Sequence, residues 1–149
     1  MTNMYYECTV KYEQVQETGL TKKVSEKYLV EALSFTEAEK RIIDEMQQYA
    51  NGEFDVTAIR RLSLAEIFES KDAAADRWYR AKIAIITLDE KSGKEKRTSV
   101  EVLVQASDFD DARNAINEAM KGTLGEWEKA VLSETSYVDV LNENVTRPS

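Results

Sequence analysis

Enzyme chemistry needs a nucleophile, a base or a cluster of ligands, and this chain is poor in all three. Cys8 is its single cysteine, and histidine is absent. A lone thiol leaves no intrachain disulfide and no cysteine-based metal site. Without histidine, the commonest general base, the usual catalytic triads and most zinc or non-haem iron sites fall away. Cys8 alternates with Tyr6, Val10 and Tyr12 on the apolar face of a strand. We therefore expect a buried thiol acting as a small hydrophobe, not a nucleophile. Ser92, Gly93 and Lys94 sit together as they would in a phosphate loop, but the motif's spacing is missing and no helix opens after them. No catalytic residue, cofactor site or metal site is assigned.

Charge offers one candidate. Lys22, Lys23, Lys27 and Arg60 are read as an anion- or partner-binding patch. The competing reading is a solvated face whose lysines protect a sheet edge. Arg60 and Arg61 are adjacent, so in a strand they point to opposite faces and cannot form one clamp unless a bulge intervenes. The carboxylates Glu37, Glu39 and Asp44 belong to the outer face of a helix. There Glu37 and Arg41 are spaced for an i,i+4 pair worth a few tenths of a kcal/mol.

The elements that carry these residues are written twice. Leu29 to Ala38, running on through Ile42 to Met46, returns as Leu103 to Ala112, running on through Ile116 to Met120, 74 residues later and without a gap. Seven positions are identical: Leu29/Leu103, Val30/Val104, Ala32/Ala106, Phe35/Phe109, Ala38/Ala112, Ile42/Ile116 and Met46/Met120. Chance would give about one, which points to an internal duplication. Each copy opens with period-two alternation, a strand, then changes to the three-four-four spacing of a helical stripe. Ser34 with Glu37, and Asp108 with Asp111, have the spacing of capping boxes. Gly52 and Gly125 follow as stop signals. Phe35 and Phe109 head the stripes, so both are expected to be buried against their sheets.

Along the chain, strand one covers about 5–13, a hairpin turn includes Gly19, strand two covers 22–32, the helix 35–49 and strand three 56–68. After a polar junction at 69–77, the same order recurs: Arg80 to Leu88, a charged turn, 98–106, a helix at 109–121 and a last strand at 131–141. We expect one compact domain over 1–149, built of repeat one (5–68), the junction (69–77), repeat two (78–141) and a frayed tail (142–149). The fold class is α+β. Each β-β-α-β unit places strand one in the middle, order 2-1-3, with one helix on its antiparallel sheet.

The remaining bounds are general. The net charge is −8, which disfavours global steering toward nucleic acid or anionic membrane. No apolar run approaches a membrane span. The N-terminus lacks a basic region and an apolar signal core, so a cytoplasmic setting is expected.

Tyr5-Tyr6, Tyr28-Leu29-Val30 and Ser34 to Ala38, with Trp78-Tyr79, Leu103-Val104 and Phe109, resemble an uncharacterised family of small bacterial and bacteriophage proteins described only as a domain of unknown function. Ile86 to Gly93 and Met120 to Thr123 are also typical of it. The resemblance spans about Tyr5 to Leu141. It implies a phage or mobile-element setting and supplies no catalytic residues. The expected function is a non-catalytic binding or protein-interaction module with an unknown protein partner. The alternative is a nucleic-acid-linked role: a sheet face of Tyr, Lys and Arg that binds single strands, or acidic helices that imitate a phosphate backbone.

Overall fold

The computed structural model of the protein describes residues 4–49, 53–123 and 125–142. Gly52, expected as a helix stop, and residues 143–149, most of the expected tail, lie outside them. Ten elements follow in order: β1 (Met4–Val15), β2 (Thr21–Ala32), α1 (Phe35–Tyr49), β3 (Phe54–Leu62), β4 (Glu66–Phe68), β5 (Arg77–Leu88), β6 (Glu95–Ala106), α2 (Phe109–Ala119), β7 (Glu126–Glu134) and β8 (Tyr137–Leu141). The class is α+β, with two helices and two four-stranded sheets rich in antiparallel pairs. Both helices begin where the sequence places them.

Hairpin chemistry sets the first pairings. The turn after β1 closes through the Gln16 N–H donating to the Leu20 carbonyl at 2.8 Å. It needs Gly19, whose φ is +85°, a region that costs other residues a steric clash. The turn after β5 uses Asp89, whose carboxylate accepts from the Lys91 N–H at 3.0 Å and the Ser92 hydroxyl at 3.1 Å. The residues that mimic a phosphate loop thus build an Asx turn.

The sheets run β3-β1-β2-β8 and β4-β6-β5-β7. Within each, the expected neighbours are present: β1 lies between β2 and β3, and β5 between β6 and β7, all antiparallel. The fourth strand differs from expectation. The segment 56–68 is not one strand, because the chain leaves the first sheet after Leu62 and Glu66–Phe68 pairs in parallel with Val102–Val104 of β6. The segment 131–141 breaks likewise at Thr135-Ser136, and Tyr137–Leu141 pairs in parallel with β2. The chain therefore forms two compact units. One runs to Ser63 and resumes at Ser136; the other is Leu64–Thr135. Their borders do not follow 5–68 and 78–141, since the last strand of each expected repeat completes the other sheet.

Capping fixes the helix starts. The Ser34 hydroxyl accepts from the Glu37 N–H at 3.1 Å, and the Asp108 carboxylate accepts from the Asp111 N–H at 2.8 Å. Asp111 reaches back to the Ser107 N–H at 2.9 Å, one residue short of the expected cap. Arg41 pairs with Glu37 at 2.9 Å and donates to the Glu31 carbonyl at 2.7 Å, so the expected ion pair also ties α1 to the end of β2. Each helical stripe then seats on its own sheet. Ala38, Ile42 and Met46 meet Tyr6, Cys8, Val10, Tyr28, Val30 and Leu141. In the second unit Ala112 and Ile116 meet Tyr79, Ala81, Ile83, Val102 and Val104. Alanine at the contact lets the helix backbone approach the sheet.

Phe35 and Phe109 correct the burial expectation: they are 50% and 49% exposed. Side chains lean toward a helix's N-terminus, so a residue at the first helical position overhangs the sheet end instead of covering it. Each ring packs edge-on against one core tyrosine, Tyr6 at 4.8 Å and Tyr79 at 6.3 Å between centroids.

The energetic consequence is checkable by urea denaturation. Ile42 is fully buried, so Ile42→Ala should cost about 2–5 kcal/mol. Phe35→Ala loses half a ring's burial and one aromatic contact and should cost only about 1–2 kcal/mol. Equal losses, or a larger one at Phe35, would contradict this placement.

Candidate functional site

Cys8 lies fully buried in the first core. Burial, with the neighbouring Glu7 charge, pushes its thiol up to about 12. Such a group holds almost no thiolate at neutral pH. The equivalent position against β6 is Ala81, paired with Val102 as Cys8 is paired with Tyr28.

Of the four cations read as one patch, Lys27 and Arg60 converge on Glu7, while Lys22 and Lys23 stand apart. β2 alternates, so Lys22 shares the helix-side face with Tyr28 and Val30, while Lys23 and Lys27 point the other way. Lys23 and Lys27 are about 13 Å apart along the strand. Lys23 stands opposite Glu13, and Lys22 opposite Gln14. Lys27 and Arg60 both engage Glu7, at 3.6 Å and 3.3 Å.

Glu7 is the feature that strand alternation alone did not single out. It sits between Tyr6 and Cys8 and therefore projects to the face away from α1. There the first sheet gathers one group from every strand: Glu7 from β1, Lys27 from β2, Arg60 from β3 and Tyr137 from β8. The Tyr137 hydroxyl reaches across β2 and donates to the Glu7 carboxylate at 2.7 Å. Beside them Tyr5 donates to Glu31 at 3.0 Å. The sequence signal was present: a lone acidic residue inside the apolar run Tyr5 to Val10. Its partners were not legible, because Tyr137 is 130 residues away.

The electrostatics of Glu7 are decided by competition. Burial favours the neutral acid; the Tyr137 hydrogen bond and the Arg60 and Lys27 charges outweigh it and hold the carboxyl below its usual range. Tyr6, Tyr28 and Tyr79, which could have stacked on bases, are buried in the cores, and Tyr137 is buried with its hydroxyl on Glu7.

Open grooves lie among the described residues, and one is found in each unit. The first, about 360 Å³, lies between the start of α1 and β3, with Phe35, Glu39, Val56, Thr57 and Ala58 on its walls. Thr57 is the bulged residue there, skipped where Thr9 pairs with Ala58 and Val10 with Val56. The second, about 550 Å³, lies in the other unit between β4 and α2. Both border a strand at the end of its sheet. Among the described residues, no group of three metal-ligating side chains is gathered, and no helix is long and apolar enough to cross a membrane.

Two measurements follow. A group whose carboxyl is depressed by folding stabilises the fold above its unfolded pKa and loses that contribution as pH falls through its folded value. Glu7→Gln should therefore cost about 1–3 kcal/mol at neutral pH, and the gap from wild type should close below the ordinary carboxyl value of 4.5. A gap that stays constant with pH would contradict the network. Cys8→Ala should fold, and native Cys8 should react slowly with a thiol reagent, accelerating on denaturation. Fast native labelling would reopen the thiol as a reactive group.

Against this geometry the comparison with known families is direct. No curated protein matches the chain. The model of a family described as a domain of unknown function, DUF4494, matches residues 4–143. That span includes both sheets, both helices and the Glu7 cluster, and on it the chain belongs to the DUF4494 family.

Proposed function

We propose that this chain is a non-catalytic binding module whose partner is another protein. The observation that carries the reading is the pair of open grooves, each walled by a helix and by the end strand of a sheet. Apolar side chains line both, and an end strand offers main-chain donors and acceptors to an incoming strand. Phe35, half exposed at the mouth of the first groove, is the kind of rigid aromatic contact that anchors interfaces. The absence of histidine and the burial of the one thiol support the non-catalytic part.

The nucleic-acid-linked alternative draws less support. Tyr6, Tyr28 and Tyr79 are in the cores, and Lys27 and Arg60 are held by Glu7.

We also read the two units as copies of one β-β-α-β ancestor. Tyr6 pairs with Val30 as Tyr79 pairs with Val104, and the register shift at Thr9/Val10 recurs at Lys82/Ile83. A phage or mobile-element setting rests on the sequence resemblance.

Selection of a random displayed peptide library on the intact protein tests the binding reading. Ligands should emerge whose amide shift perturbations fall on one or both grooves. Failure to select any ligand, or footprints confined to other surfaces, would overturn it.

A further inference from the structure

The second groove says more about what it would hold. Its floor is Phe68, which packs against the second core, and Ala115 on α2. Its flank is β4, three residues long and last in its sheet, so one side of its backbone faces no other described strand. Its rim carries Glu69, Asp111 and Glu118 with the ammonium of Lys71, and Glu118 also pairs with the exposed Lys121 at 2.9 Å. Asp111 is committed to the helix cap, but its charge stays in the rim.

We propose that this groove docks an extended peptide bearing an apolar residue flanked by lysine or arginine, added as a further strand on β4. This rests on the binding-module reading and specifies one partner class for one of its two grooves. Three residues of edge supply only two or three main-chain hydrogen bonds. Specificity must then come from an apolar side chain set against Phe68 and Ala115, and from cations meeting the acidic rim. Charge placed this way steers encounter and rejects acidic competitors more than it adds raw affinity. A peptide of the opposite sign would face the Glu69 and Asp111 carboxylates, and Glu118 where it is not shared with Lys121.

Short synthetic peptides of alternating valine and lysine, and of alternating valine and glutamate, test the proposal by fluorescence anisotropy and amide shift mapping. The lysine peptide should bind saturably, perturb β4 and α2, and weaken with added salt; the glutamate peptide should not bind. Glu118 and Ala119 are exposed, so Glu118→Lys and Ala119→Trp should leave the melting temperature unchanged. Each should weaken binding about tenfold or more, the first by charge and the second by filling the groove. Equal binding of both peptides, indifference to either substitution, or no binding would overturn the proposal. Library-selected ligands that map only to the Phe35 groove would leave the binding-module reading standing while this assignment fell.

Discussion

The constraint on which this architecture turns is the outer edge of β2. Tyr28 to Ala32 are five consecutive buried residues, so this stretch is covered on both faces. A strand so covered cannot leave its free N–H and C=O groups without partners, because water does not reach them and each orphan costs free energy. β8 meets that demand for β2, and β4 meets it for the matching stretch of β6. The chain's path follows. It must leave the first sheet after Leu62, contribute a short strand elsewhere, and return at Tyr137.

Much of this was legible in the residues. Alternation located the hairpin strands, the Phe-Ala-Ile-Met stripe located both helices, and Ser34 and Asp108 marked their first turns. Strand order around β1 and β5 followed from hairpin geometry and crossover rules. The destination of the last strands was not legible. Periodicity identifies a strand and its faces but carries no information about a distant partner, whether β8 for Lys27 in β2 or β6 for Glu66 in β4, and a parallel partner has no turn to announce it. Phe35 was misjudged for a local reason: a stripe gives the direction of a side chain, not whether a sheet lies beneath the first turn.

The polar face of the first sheet shows the same division. Lys27 and Arg60 looked available as cations. In the fold they neutralise a carboxylate that belongs to the strand between them, and Tyr137 completes it from the far side of β2. Removing one partner from an ionic cluster of this kind leaves the others' charges uncompensated. The cluster also occupies the two cations of β2 and β3 that face each other across β1.

The strand completion of β2 and β6 is tested most directly by residue-resolved native amide hydrogen exchange. The account predicts that alternate amides of Tyr28–Val30 and of β8 exchange as slowly as those bonding β1 to β2, and that β4 and Val102–Val104 behave alike. Exchange of the β8 and β4 amides at the rate of a free peptide, with the facing amides of β2 and β6 equally fast, would contradict it.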